Sequence, residues 1–531
     1  MRTAIEAVLG AAPGVHAASV VALVAVLYAG CVWGHFDFDT PELLIYNRSV
    51  HGLTLENLRA VFTSVPNSVE YLPVRDVTYM LDYELFGMWP GGYHLSNIVW
   101  YALGCALCYG FLVSILRRWI DAPRGAALVA ALLFAAHPVH VESVAGIAQR
   151  KDVVSGAFFF AMLWAFVRWR ESRRVALYLA SLAACALAML SKATAVVAPG
   201  VILLLVLPDV RRDRRWALEV LGFAILAAAI GTWTARLALE AGTLLSEPEP
   251  LAVRALTYAK VSFYYLRMLL LGGPLTIAHG LTPVRSLSEG VGLLALAAVL
   301  ALAMAIALGA RRWPVPAFGG AWFLVTIVPV AGLLPAPNLV ADRYLFLPAL
   351  GVALAAAWVL VEVVRRRRAG AFAAAAAAAV AALSGMTIAR AADWRTNESL
   401  LRADLEANPS SLHLTRSLGR YYFVNGRYEL AFEYFRRARR IAPDSPDLDL
   451  FTALRLAQLR DHAGALAALS RVDGAELVDV QCLYGMIYEA MGRPRDAVDA
   501  YRRALASRRL LGVLFKKQAQ EGLSRLGEQV H

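Results

Sequence analysis

Asp37, Asp39 and Glu42 place three carboxylates within six residues, in the stretch His35-Phe36-Asp37-Phe38-Asp39-Thr40-Pro41-Glu42. An apolar run from about Val15 to Val32 comes directly before them. A carboxylate just outside a hydrocarbon-crossing segment stays wet enough to ionise and close enough to the bilayer to act on a lipid-borne substrate. The chemistry these acids suit is therefore removal of a proton from an attacking hydroxyl at the membrane surface, with Asp39 the first candidate and Asp37 the second. A solvated loop would carry the same residues. The rest of the chain has to supply the partners such a base needs.

A phosphate leaving group gathers negative charge in the transition state and calls for cations. Arg150, Lys151, Lys192, Arg343 and Arg75 are the candidates, and a planar guanidinium can grip two phosphate oxygens at once. Between them lies His137-Pro138-Val139-His140-Val141-Glu142. Histidines at i and i+3 with a glutamate at i+5 would offer metal ligands on a helical face, but Pro138 spoils that face. His137, His140 and Glu142 are expected instead to bind substrate or shape the site, together with Glu42, Asp152, Asp342 and Tyr344. No metal ligand is assigned, and dependence on a divalent metal stays open. Asp342 is expected to orient its neighbour Arg343.

The elements that position these residues follow from composition. The chain has 531 residues, of which 59% are hydrophobic and 17% charged, with a mean hydropathy of +0.55. Soluble domains carry about 25% charged residues, so the class is a polytopic membrane protein. Apolar runs dominate to about Arg390; beyond it none approaches the roughly 20 residues that cross a bilayer. The expected division is a membrane domain over 1–390, with a long first outer loop at 35–95, and a soluble domain over 391–531.

The net charge of +12 does not point to nucleic acid. Basic residues gather in Arg117-Arg118, Arg168 to Arg174, Arg211 to Arg215, Arg311-Arg312 and Arg365 to Arg368, at the ends of apolar runs, as cytoplasmic loops do. The stretch Arg254 to Leu271 resolves by the same rule. If it crossed the bilayer, the last two basic clusters would fall outside, so it is expected to lie in the interface. About eleven spans result, all helical. The same count puts the acidic stretch, the 137–152 loop, Lys192 and Asp342-Arg343-Tyr344 on one outer face. Of five cysteines, Cys105 and Cys108 have metal-like spacing but no second ligand pair, so core packing is expected of them.

Past Asp393-Trp394 the chain repeats. Leu418-Gly419, Tyr422, Gly426, Ala431, Phe435, Ala438 and Pro443 fall at tetratricopeptide spacing, and Tyr484-Gly485, Tyr488, Gly492, Ala497, Tyr501 and Ala504 repeat it. Small residues let paired helices approach while aromatics fill the gap. Such solenoids bind peptides or protein partners on a concave face.

Taken together, Pro41 to Asn47, Gly52 to Leu58, Leu85-Phe86-Gly87, His94-Leu95-Ser96-Asn97, His137 to Ala145, Arg150-Lys151-Asp152 and Ala341 to Tyr344 resemble the transmembrane and tetratricopeptide-repeat O-mannosyltransferases, within the C-type (GT-C) integral membrane glycosyltransferases. The resemblance implies a many-helix membrane fold with the catalytic acid in its first outer loop and a donor sugar carried on a polyprenyl or dolichyl phosphate. In the animal relatives it implies O-mannosylation of proteins. That family usually writes two adjacent acids before the proline; here Asp39-Thr40 keeps the first and lacks the second, leaving Asp37 or Glu42 as its substitute.

The expected function is an inverting glycosyltransferase moving a sugar, mannose by that resemblance, from a polyprenyl-phosphate donor to a hydroxyl of a protein or peptide on the non-cytoplasmic face. No tightly bound cofactor is expected, and the partners are the lipid-linked donor, the acceptor, membrane lipids and proteins bound by the repeats. The alanine, arginine and leucine bias suits a bacterial inner membrane, and the span count puts the repeat domain outside. A lipid-linked sugar transporter and a non-catalytic anchored scaffold are the alternatives. The first would want ionisable groups deep within the spans, and the second would leave the outer acids and cations dispensable.

Overall fold

The computed structural model describes residues 12–36, 40–65, 70–121, 123–210, 215–240, 250–286, 289–333, 338–365, 369–443, 445, 447–472, 477–506 and 513–527. Asp37 and Asp39 therefore lie outside the described residues, as do most of the basic clusters at 211–215 and 365–368. The chain forms two compact units, one over residues 1–66 and 70–396 and the other chiefly over 397–531. Every regular element among the described residues is helical. The all-α expectation holds.

Among the described residues, six helices of the first unit are long and apolar enough to cross a bilayer: Pro13–Trp33, Pro90–Leu116, Ile147–Ser172, Trp216–Leu237, Gly290–Gly309 and Ala374–Asp393. The chain is a multi-pass membrane protein. A bent pair, Pro123–Ala136 with Pro138–Ala145, would make a seventh span, and four shorter apolar helices are present at Val175–Ser191, Ala193–Asp209, Pro314–Val330 and Pro348–Leu360. Leu251–Leu271 forms one helix but does not meet that standard, since Arg254, Lys260 and Arg267 interrupt its apolar surface.

Two local devices shape the site. The first is the 52° bend at Pro138. Proline cannot donate to the preceding turn and clashes with it, so the helix Pro123–Ala136 stops and His137 caps the next turn, its Nδ1 accepting from the Val139 N–H at 3.3 Å. Asn97 holds the far side of the bend, donating to the carbonyls of Val144 and Gly146 at 3.2 and 3.1 Å. The second is the crossing of the helices Pro314–Thr326 and Pro348–Arg365. A Cβ at Gly319 would fall 2.4 Å from the carbonyl oxygen of Gly351, so only glycine permits this approach.

The described parts of the long first loop are folded. Thr54 caps the helix Leu55–Thr63 through the Asn57 N–H, and Pro73 starts the helix Pro73–Phe86. Leu43, Leu44, Val50, Val61, Tyr79, Met80 and Tyr93 bury one cluster with Ile147 and Ala148, with Phe36 packed against it. This apolar cluster seats the loop on the start of the helix Arg150–Ser172, and Tyr79 Oη donates to the Ile147 carbonyl at 2.8 Å.

In the second unit the expected repeat appears as paired helices, Leu412–Val424 with Tyr428–Ile441 and Val478–Ala490 with Pro494–Ala506. Between these pairs lie two further helices, Asp447–Gln458 and His462–Leu469. A Cβ at Gly485 would lie 2.5 Å from the Tyr501 ring, and Phe435 stacks on Phe451 with ring centroids 3.8 Å apart.

Candidate active site

Three segments far apart in sequence meet in the first unit. Glu142 stands on the turn Val141–Ala145 just past the Pro138 bend. Its Oε1 accepts from the Arg343 guanidinium and its Oε2 from the Arg343 backbone N–H at 2.9 Å. Lys192, where the helix Val175–Ser191 ends, donates to Asp152 Oδ1. Both cations lie near the Tyr344 ring, whose centroid is 5.2 Å from the Arg343 guanidinium carbon and 5.7 Å from Lys192 Nζ. Asp152, Lys192, Arg343 and Tyr344 line one pocket that opens to solvent, with Ser155, Thr194 and Thr326 also in its wall.

Asp342 is turned the other way. Its Oδ1 lies 2.8 Å from His279 Nε2, and His279 Nδ1 lies 2.9 Å from Tyr264 Oη. With Asp342 ionised, Nε2 carries the proton and donates, so Nδ1 accepts from the tyrosine. Burial pushes the Asp342 carboxyl up, against the opposing pull of His279. Burial would lower Arg343, but Glu142, together with Tyr344 and Asp152, overcomes it and holds the guanidinium protonated. Burial likewise raises the Tyr344 phenol, with Arg343 opposing.

Beside the pocket a second charged group forms on the first loop. Glu70 takes the Lys151 ammonium on both oxygens, at 2.7 and 2.9 Å, and the Arg75 guanidinium at 3.0 Å. Burial alone would raise Glu70, but Lys151, Arg75 and, more weakly, Arg343 overcome it and hold the carboxyl at about 2. Arg75 is fully buried and also pairs with Asp76 at 2.8 Å.

Arg150 faces inward, away from the pocket. It pairs with Asp82, donates to Asn97 Oδ1 at 2.7 Å and to the Tyr93 carbonyl at 2.8 Å, and lies over the Tyr79 ring. Its donors tie the first loop to the helix it begins. His137 caps the bend, while the His140 ring packs among Phe134, Tyr101 and Phe346. Among the described residues no group of three or more histidine, cysteine, aspartate or glutamate side chains is placed to hold a metal ion. Glu42 lies in the turn Pro41–Ile45.

Sequence reasoning missed Glu70, Asp82, Tyr264 and His279. None stands in a spacing pattern; each was identifiable only by its partner.

A family model described as dolichyl-phosphate-mannose-protein mannosyltransferase matches residues 84–234, and one for the tetratricopeptide repeat matches residues 478–509. The chain is similar to Protein O-mannosyl-transferase Tmtc3 of Drosophila melanogaster, 25% identical over 503 residues that cover 80% of this chain and 54% of that one. It is similar also to Protein O-mannosyl-transferase F38B6.6 of Caenorhabditis elegans, 25% identical over 449 residues, covering 80% of this chain and 62% of that one. Against Protein O-mannosyl-transferase TMTC3 of Mus musculus it is 32% identical over 164 residues, 29% of this chain and 17% of that one. The chain thus spans little more than half the length of the first two relatives and far less of the third. A solved structure, ArnT from Cupriavidus metallidurans bound to undecaprenyl phosphate, aligns over 97% of this chain and 88% of that one with 15% identity and a TM-score of 0.39. That is too slight a likeness to carry argument. The resemblance read from the motifs, to the transmembrane and tetratricopeptide-repeat O-mannosyltransferases, is borne out by the sequence relatives.

Proposed function

We propose that this protein is a membrane glycosyltransferase that takes a sugar, mannose by likeness to its relatives, from a polyprenyl phosphate and transfers it to a hydroxyl of a protein or peptide on the non-cytoplasmic face. The observation that carries this reading is the meeting of Lys192, Arg343 and Tyr344 at one pocket. Lys192 has three donors, one of which goes to Asp152. Arg343 offers a planar fork held in place by Glu142. Both suit the phosphate on which charge develops as the anomeric bond breaks.

The acceptor oxygen attacks the anomeric carbon, its proton passes to a carboxylate, and the lipid phosphate departs. Asp39 is assigned the role of base, with Asp37 its alternate. Attack opposite the leaving phosphate inverts the sugar. The repeat unit is assigned to acceptor or partner binding, outside an inner membrane crossed about eleven times.

The test is transfer by the purified full chain in lipid nanodiscs, from a mannosyl polyprenyl phosphate to a serine- and threonine-rich peptide. The reading expects mannosylated peptide by mass spectrometry, loss of product in Asp39→Asn, and at least a 100-fold loss in Arg343→Ala. No product from the unaltered protein with mannosyl or glucosyl donors would overturn it. Full activity in Asp39→Asn would move the base to Asp37.

A further inference from the structure

Asp152 has a second oxygen that the phosphate chemistry leaves unused. The side chain is 1% exposed, its Oδ1 takes the Lys192 ammonium, and its Oδ2 is buried with no hydrogen-bond partner among the described residues. Burying a carboxylate oxygen without a donor is costly, and a bond to a charged acceptor regains more than a neutral one. Asp152 also lines the pocket. An ionised carboxylate there repels a phosphate and has nothing to donate, so the ligand group it suits is a hydroxyl.

The position narrows which hydroxyl. Both oxygens sit on one carbon, so Oδ2 lies within about 4 Å of the ammonium assigned to phosphate. In a glycosyl phosphate the hydroxyl nearest the phosphate is the one on C2. We propose, resting on the glycosyltransferase reading of this site, that Asp152 is its sugar-specificity residue: Oδ2 accepts a hydrogen bond from the donor's C2 hydroxyl, so that the enzyme reads the configuration at that carbon. The group that tells mannose from glucose is then held by the same carboxylate that aims Lys192 at the phosphate.

The experiment compares mannosyl polyprenyl phosphate with its 2-deoxy and 4-deoxy analogues and the glucosyl donor, on the unaltered protein, Asp152→Asn and Asp152→Ala. Two readouts are taken in nanodiscs: kcat/KM for transfer, and donor-induced rise in unfolding temperature, which needs no turnover. Removing the C2 hydroxyl also makes the anomeric carbon intrinsically more reactive, so the ratio of ratios is the quantity to read. The unaltered protein should prefer the 2-hydroxy over the 2-deoxy donor about 10- to 100-fold more than Asp152→Ala does, with Asp152→Asn between them. The 4-deoxy donor should show no such coupling.

If the variants lose activity equally with all donors, Asp152 acts only through Lys192 and the proposal fails while the transferase reading stands. Coupling confined to another ring position overturns it too. Binding that discriminates at C2 without any transfer would keep the sugar seat and sink the transferase reading; binding of no donor would sink both. Should Asp152→Ala fail to fold, Asp152→Asn, which keeps size and shape, decides by the same ratio.

Discussion

Glu142 holds Arg343 twice, once by its guanidinium and once by its backbone N–H. The carboxylate fixes where the arginine's chain sits as well as where its head points. The pair joins the segment after the Pro138 bend to the segment before the helix Pro348–Arg365, 201 residues apart.

Removing one member of a buried pair strands the other. Glu142→Gln is expected to destabilise the protein by about 3 kcal/mol and to raise the donor KM at least 10-fold. The double variant Glu142→Gln with Arg343→Gln should regain most of the stability and none of the activity. Thermal unfolding in nanodiscs beside transfer assays measures both, and a double variant as unstable as the single one would refute the pairing.

His279 is expected to steady the Asp342-Arg343 turn. Its removal in His279→Phe takes away the partner that opposes the burial-driven rise of Asp342. A carboxyl whose folded pKa lies above its unfolded value is least costly when protonated, so stability is lost as pH rises through the folded pKa. His279→Phe should therefore destabilise more at pH 7.5 than at pH 5, by about 1–3 kcal/mol at the higher pH. An equal loss at both would show a packing effect alone.

Glu70 gives the opposite sign. Its folded value of about 2 lies below the ordinary 4.5, so its contribution is complete above about pH 4.5 and fades as pH falls toward 2. The side chain is 35% exposed, and screening leaves about 1 kcal/mol of what the shift would otherwise supply. Glu70→Gln should show a shallower loss of stability than the unaltered protein over that window. Parallel acid titrations followed by tryptophan fluorescence would reveal it, and parallel curves would count against the contact.

In the repeat unit, Gly485→Val is expected to cost about 1–3 kcal/mol, because its Cβ would overlap the Tyr501 ring, 2.5 Å away. Gly492→Ala should strain the chain differently, since Gly492 has φ +69° with nothing within 4 Å of its Cβ. Its cost should be about 1 kcal/mol from backbone strain alone. Circular dichroism melts separate the two, and a silent Gly485→Val would mean the helices are not packed as described.

The helical nature of both units, the apolar segments and the repeat hairpins were legible in the sequence, because each is a local periodicity: runs of apolar residues, or small and aromatic residues at fixed intervals. The contributions of Lys192 and Arg343 could be anticipated from their types. What could not be read was the choice of partners. Arg150 and Lys151 are adjacent in sequence, yet one is drawn inward by Asp82 and Asn97 and the other meets Glu70 beside the pocket. Successive residues on a helix point about 100° apart, and only the elements packed around that helix determine what each meets. The same holds for Asp342, whose neighbour in the chain is Arg343 but whose hydrogen-bond partner is His279, a residue in no recognisable pattern. By itself the sequence determined which segments are apolar, which repeat, and which residues have the chemistry to hold a phosphate. Tertiary structure alone decided which charges neutralise one another and which line the pocket, because burial makes an unpaired charge costly and pairing depends on backbones brought together from distant parts of the chain.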